Sequence, residues 1–480
     1  MRIAMVASEC EPLAKTGGLA DVVDALSRAL GRLGHEVDVY LPRYRGVEPV
    51  GPVETLGLDV PSGAGAPVAV RLLSAAADGY RLRLVDHPPS YDRPDYYVAD
   101  GADYPDNGAR FSLLGRAALE AMRSERRPAD VLHGHDWEGA PALLLLRHRY
   151  ADEPLLRGTA GVLTCHNLAY HGWVPRAVVG AQLDLPAEVG QPAGVDLLRE
   201  GIGVAAMVNT VSPTFARESL VPGQGGGVED TLAALGDRYL GIINGLDTEL
   251  WSPASDVALA ARYSAADLAG KAACRAALCA EMGLDPAGPL LAMIGRLDPQ
   301  KGFDLLAAAA PALVADGFRL AVLGTGDGRL IESLASFAAD HPAQVAVANR
   351  FDRALSRRIY AGADCFLMPS RFEPCGQGQM IAMRYGTPPI VRATGGLVDT
   401  VIDADAAPTT GNGFCFGPAD AAALVEACRR AAAALADPPR WTQIRARAMA
   451  ADFGWAGPAR QYEAAYARAR ALATARPSSR

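Results

Sequence analysis

At 480 residues, half of them apolar and about a fifth charged, the chain exceeds one ordinary hydrophobic core and suits two domains. A formal net charge of −8 argues against a surface built for nucleic acid or for an anionic membrane, and no apolar run reaches bilayer-spanning length. The eight cysteines form no CxxC pair, which argues against a zinc site or disulfide framework and leads us to expect a reduced, cytoplasmic protein.

The opening run, Met1 to Val6, turns polar by Ser8-Glu9 and is too short for a secretory signal. From there short apolar or β-branched runs alternate with helical patterns, the signature of a parallel sheet. In the first half the predicted strands are 2–7, 37–41, 80–85, 131–133, 162–165 and 207–211, with helices over 20–33 and 108–123. The pattern restarts at 290–294, 319–323, 344–348, 365–368 and 389–391, with Ala-rich helices between. Asn244-Gly245 and Ser252-Pro253 are turn-forming pairs, so the hinge is expected near here. The expected division is 1–243, 244–455 and a last helix within 456–480 that returns to the first domain. The fold class expected is α/β, with two Rossmann-like, doubly wound parallel sheets facing a central cleft. Closure near residues 243–250 would gate the chemistry.

Lys15-Thr16-Gly17-Gly18 follows the first strand and opens a helix. It lacks the Walker A and GxGxxG spacings, so neither an NTPase nor a nicotinamide enzyme is indicated. A lysine and two glycines at a helix start suit an anion or sugar hydroxyls. The segments 16–23 (TGGLADVV) and 394–401 (TGGLVDTV) echo one another, as two helix starts solving one backbone problem. His133-Gly134-His135-Asp136 and Cys165-His166-Asn167 close two further strands; His133 and His135 read as structural. Arg296 and Lys301 bracket the loop after the strand 290–294, where two cations can neutralise a diphosphate. Glu373-Pro374-Cys375-Gly376 follows the strand 365–368, with a carboxylate suited to sugar hydroxyls. A thiol-nucleophile role for Cys375 finds no His or Asn context, no GxSxG elbow appears, and the Asp403-Ala404-Asp405 run reads as solvated.

In order and spacing these stretches resemble the bacterial glycogen synthase and plant starch synthase family of retaining glucosyltransferases, which has the GT-B fold. The matching stretches are Ser8 to Pro12 with Lys15 to Val23, His135-Asp136-Trp137, 164–172 (TCHNLAYHG), 210–213, 241–247 (GIINGLD), 295–302, 370–376 (SRFEPCG) and 384–387. The resemblance implies transfer of glucose from ADP-glucose to the non-reducing 4-hydroxyl of an α-1,4-glucan such as glycogen. It further implies that Lys15, Gly17 and Gly18 contact the donor, that Arg296 and Lys301 hold its diphosphate, and that Asp136 and His166 sit by the reacting glucose. Glu373 would bind donor hydroxyls, with Asn244, Cys375 and Gly376 lining the same pocket and Phe351 against the nucleobase. Glu9, Tyr91 and Asn167 fall on the acceptor side. No metal or other cofactor is implied, because Arg296 and Lys301 supply the charge.

The chain departs from the family pattern at Gln377-Gly378, where Leu-Thr is common, which removes a hydroxyl near the phosphates. Arg199 stands where a lysine is common, and Glu138 where another polar residue is frequent. Ile381 stands eight residues after Glu373, so the E-x7-E pattern of other GT-B transferases is absent. Three other readings are compatible with parts of the chain. They are the same fold with UDP-glucose or a small acceptor giving a maltosyl-phosphate-type product, a pyridoxal-phosphate glucan phosphorylase, and a silent glucan-binding protein.

Overall fold

A computed structural model describes residues 1–63, 65–99 and 101–475. The chain forms two compact units: Met1–Gly245 together with the chain from Trp455 onward, and Leu246–Gly454. The expected boundary after residue 243 is therefore slightly early, and Asn244 belongs to the first unit.

The first unit is built on a nine-stranded sheet. In spatial order its strands are Tyr239–Gly241, Met207–Thr210, Ala160–Cys165, Val131–His135, Arg2–Val6, Glu36–Pro42, Arg81–Asp86, Gly65–Ala76 and Glu54–Ser62. Pairing is parallel as far as Arg81–Asp86. Strands such as Val131–His135 are buried along their whole length, as expected where helices cover both faces. The last two strands form an antiparallel hairpin that the sequence reading passed over. Its strand Glu54–Ser62 buries only Leu58 and Val60, and Gly57 and Pro61 interrupt the pattern, so it reads weakly as a strand. The helix Ala456–Ala475 completes this unit, placing Tyr462 and Tyr466 in its core.

The second unit holds a six-stranded, fully parallel sheet. Its order is Val345–Ala348, Arg319–Leu323, Leu290–Ile294, Cys365–Met368, Pro389–Arg392, Phe414–Phe416. In both sheets the strand order reverses beside the first strand. In doubly wound sheets the crevice at such a switch point, at the strands' carboxyl ends, is where ligands bind. In the first unit it lies between Arg2–Val6 and Val131–His135, whose ends lead to Glu9 and Asp136. In the second it lies between Leu290–Ile294 and Cys365–Met368, whose ends lead to Arg296, Lys301 and Glu373. The topology thus delivers the candidate residues to two switch points.

Candidate active site

At the first switch point, Asp136 opens the helix Asp136–His148 directly after its strand. Its φ is +52°, in the left-handed region that costs a non-glycine residue energy. The strain is held by Asp136 Oδ1, which accepts hydrogen bonds from the His166 amide at 2.6 Å and the Asn167 amide at 3.3 Å. Desolvation, the largest influence, pushes the Asp136 carboxyl up to about 7, against the two amide bonds and with help from the nearby Glu9 charge. A strained, desolvated carboxylate at a strand end is poised for charge chemistry.

Behind it lies a buried histidine chain. His135 Nδ1 is 3.0 Å from His166 Nε2, while His133 Nε2 lies 2.7 Å from Thr164 Oγ1. Thr164 donates to Asn209 Oδ1, so His133 Nε2 carries the proton and its Nδ1 accepts from Tyr466 at 2.8 Å. Burial pushes His133 and His166 down to about 3 and His135 well below its ordinary value, so all three rings are neutral at pH 7. These rings are a rigid support for the Asp136 loop, and His133 and His135 are structural as expected.

The Lys15 loop is organised by Glu9. Its carboxylate accepts from the Thr16 amide at 2.5 Å, the Thr16 hydroxyl at 2.5 Å, the Gly17 amide at 3.2 Å and the Tyr97 hydroxyl at 2.7 Å. Four donors fill a carboxylate's acceptor capacity. This corrects two expectations. Glu9 offers no spare oxygen to an acceptor sugar, and the Gly17 amide is not free for a ligand. Lys15 is paired with Asp21 at 2.5 Å and Glu11 at 3.3 Å. A Cβ added at Gly17 or Gly18 would meet open space, so packing within the chain does not demand glycine at either position.

Tyr91 is corrected outright. It is fully buried, and its hydroxyl donates to the Arg110 carbonyl at 2.7 Å. The tyrosine of that segment that reaches the Glu9 carboxylate is Tyr97, while Tyr96 stacks on Tyr44 at 4.3 Å. The Asp95-Tyr96-Tyr97 run after Pro94 was the available sequence signal.

At the second switch point Lys301 Nζ contacts both Glu373 oxygens, at 2.9 and 2.7 Å, and Ser370 donates to Glu373 Oε2 at 3.0 Å. Glu373 is buried, whereas the Lys301 side chain is partly exposed. Arg296 pairs with Asp298 and reaches Gln300. Arg371, to which the sequence reading gave no role of its own, binds Asp304 through two bonds of 2.6 and 2.7 Å and also the Pro299 carbonyl. It thereby fastens the Glu373 loop to the Lys301 loop, the kind of two-pronged pairing that arginine makes well.

The echoed glycines serve different ends. Gly395 has φ +48°, and a Cβ there would lie 1.9 Å from the Glu373 carbonyl oxygen; at Gly396 the obstacle is the Cys375 carbonyl, at 2.2 Å. We therefore expect Gly395→Ala to lower the melting temperature and displace Glu373. Gly18→Ala should leave melting within about 0.5 kcal/mol of the parent, with its effect on the donor KM. Thermal unfolding beside donor kinetics checks both.

Cys375 is buried, as are seven of the eight cysteines. Gly376 adopts φ +72°, next to Gln379, whose Nε2 donates to the Cys375 and Gly376 carbonyls at 3.1 Å each. A Cβ at Gly378 would come within 2.9 Å of the Phe366 ring, so Phe366 fills room that a threonine would need. Phe351 is 79 % exposed on the loop after Val345–Ala348, an open face beside Arg353. Asn244 is buried with its Oδ1 unpartnered. Among the described residues no group of three or more His, Cys, Asp or Glu is placed to hold a metal ion, and no helix is long and apolar enough to cross a membrane.

Residues 2–234 match the starch synthase catalytic domain family, and residues 288–434 match the glycosyl transferases group 1 family. The chain is 44% identical to the glycogen synthase of Halorhodospira halophila, over 97% of this chain and 98% of that one. It is also 44% identical to the glycogen synthase of Anaeromyxobacter dehalogenans strain 2CP-C, over 97% and 99%. Among solved structures it is similar to the catalytic domain of starch synthase IV from Arabidopsis thaliana bound to ADP and acarbose. That similarity has a TM-score of 0.89 and 34% identity, covering 98% of this chain and 99% of the other.

Proposed function

The chain belongs to the glycogen and starch synthase family of GT-B glycosyltransferases, and on that premise we propose that it transfers glucose from ADP-glucose to the non-reducing 4-hydroxyl of an α-1,4-glucan, with retention of configuration. The observation that carries this reading is the Lys301–Glu373–Ser370 group at the second switch point, one charged pair able to serve both ends of a sugar diphosphate. Lys301 and Arg296 take the diphosphate, and Glu373 takes donor hydroxyls. The ADP and acarbose on starch synthase IV support an ADP-bearing donor and a saccharide acceptor.

The chemistry follows from where charge develops. The bond from the anomeric carbon to the diphosphate oxygen breaks, leaving negative charge on the phosphate and positive character on the sugar. Lys301 and Arg296 meet the first, and the Asp136 carboxylate and the His166 carbonyl meet the second. Groups fixed in advance at those places lower the barrier without reorganising. The acceptor 4-hydroxyl attacks the face from which the diphosphate leaves, and its proton passes to the departing phosphate oxygen. No covalent glucosyl-enzyme is required. Lys15, Gly17, Gly18, Asn244, Phe351, Cys375 and Gly376 complete the donor's surroundings, and Asn167 lies on the acceptor side. The free cysteines suit a reducing, cytoplasmic compartment.

Supplying radiolabelled ADP-glucose and UDP-glucose in parallel, with glycogen as acceptor, tests the donor. We expect label in polymer chiefly from ADP-glucose. Label from UDP-glucose alone would overturn the donor, and label from neither would overturn the reading.

A further inference from the structure

His171, the last histidine of the 164–172 stretch, has no part in the reaction above, yet its surroundings call for a charged ring. Its Nδ1 lies 2.6 Å from Asp196 Oδ2, and its Nε2 lies 3.1 Å from the Leu168 carbonyl oxygen. A carboxylate and a carbonyl only accept, so both bonds form only when each ring nitrogen carries a hydrogen. The hydrogen bond to Asp196 outweighs burial and holds the ring's pKa above its ordinary value; the Asp196 charge and the Leu168 and Gly226 backbones act the same way. Asp196 is itself fixed, because its Oδ1 caps the helix Leu197–Val204 by accepting from the Arg199 amide at 3.0 Å. Glu200 and Arg199 of that helix, with Arg176, are the charges grouped around this carboxylate. On the other side the loop 223–227 presents its backbone. A Cβ on Gly226 would lie 2.0 Å from the Leu168 carbonyl oxygen, and the loop is fastened by Glu229 at the Gly223 and Gly225 amides and by Arg199 at the Gly227 carbonyl. Leu168 follows His166 and Asn167, whose amides hold the Asp136 carboxylate. A Cβ on Gly172 would fall 2.1 Å from the Trp137 ring, so this segment is packed on the residue next to Asp136.

We infer that His171 is a positioning residue: with a hydrogen on each ring nitrogen it clamps the Leu168 turn to the Asp196 helix start, and loss of one proton slackens the segment whose amides hold Asp136. This rests on the glucan-transfer reading and adds a pH-dependent control to that site. Nε2 is the nitrogen that gives up its proton, because Nδ1 faces the carboxylate. Its lone pair then confronts the Leu168 carbonyl, and a bond is exchanged for the repulsion of two acceptors. The Leu197 and Leu198 amides still hold the Gly172 and His171 carbonyls, so the release is local to residues 166–169. The ring binds its proton more tightly in the folded chain than in the unfolded one. Its contribution to stability is therefore full below about pH 6.5 and is lost as pH rises through the folded value. Asp136 gains its charge as pH rises, so turnover should pass through a maximum, with His171 setting the alkaline side.

Ring-nitrogen NMR of the histidine-labelled protein, with His171→Gln to assign the signal, gives the direct test. Both His171 nitrogens should be protonated at about pH 6, with one titration step at higher pH. Asp196→Asn keeps an oxygen to cap the helix and removes the charge, so it should lower the midpoint of that step by about one pH unit. Hydrogen exchange in residues 164–173, corrected for its intrinsic pH dependence, should quicken across the same step in the parent and across the lowered one in Asp196→Asn. It should show no step in His171→Gln. Turnover should fall about tenfold on the alkaline side in the parent, the loss expected when one charge-assisted bond is given up, and His171→Gln should lack that limb. A neutral ring at about pH 6, a titration that leaves exchange unchanged, or an alkaline limb retained in His171→Gln would each overturn the assignment. If no glucose is transferred from any donor, the glucan-transfer reading fails, while the ring signal and the exchange still decide whether His171 is the clamp.

Discussion

Asp136→Asn is expected to fold as the parent does and to lose turnover by about 10²- to 10³-fold. Asparagine tolerates the left-handed backbone at φ +52° and still offers an oxygen to the His166 and Asn167 amides. Only the negative charge that we propose faces the sugar disappears. Asp136→Ala removes the oxygen as well and places alanine in a disfavoured conformation, at a cost of about 1–3 kcal/mol. Melting curves separate the two variants, and kcat does not. The pH dependence gives a second reading. The folded carboxyl is raised from 3.8 to about 7, so the native chain holds a proton that the unfolded chain has released between those values. Stability contributed by this group therefore falls as pH rises from about 4 to 7, while turnover rises as Asp136 ionises. The asparagine variant should lose the turnover trend, while the buried Glu138 carboxyl, also raised well above its ordinary value by desolvation and then by the Asp136 charge, keeps a share of the stability trend. A parent profile flat from pH 5.5 to 8.5 would remove Asp136 as the charged group.

Lys301→Ala is the second large effect. On the proposed reading it withdraws a cation from the departing diphosphate, at about 3 kcal/mol in the barrier, or about a hundredfold in kcat. It also strands the buried Glu373 carboxylate with Ser370 as its remaining partner here, which lowers stability by about 1–3 kcal/mol. Lys301 is partly exposed, which keeps that figure below the cost of breaking a fully buried pair. The double variant Lys301→Ala/Glu373→Gln separates the two consequences. Removing the stranded charge should restore most of the melting temperature, whereas turnover should stay down by at least a hundredfold. Recovery of turnover with stability would show that Lys301 only neutralises Glu373.

The parallel strands and their carboxyl ends were legible because strands buried on both faces read as short β-branched runs. For the same reason Asp136, His166, Arg296, Lys301 and Glu373 could be placed at strand ends from spacing alone. The hairpin 54–76 was not legible, since a one-faced strand broken by Gly57 and Pro61 gives a weak alternation. The left-handed backbone of Asp136 leaves no mark in composition, because it is imposed by amides some thirty residues away. Glu9 illustrates another limit. A glutamate near a loop of glycines reads as a ligand, yet four intramolecular donors fill it. Tyr91, Tyr96 and Tyr97 share one short segment, and only packing tells which ring faces inward. The paired glycines look alike in sequence and differ in what opposes them: carbonyl oxygens at Gly395 and Gly396, open space at Gly17 and Gly18.

The most direct measurement is carbon NMR of glycogen extended by this protein from ADP-glucose labelled at the anomeric carbon. The account predicts label in α-1,4 linkages at non-reducing ends, lost in step with kcat in the Asp136→Asn and Lys301→Ala variants. Label in β linkages, or α-linked label formed undiminished by both variants, would contradict it.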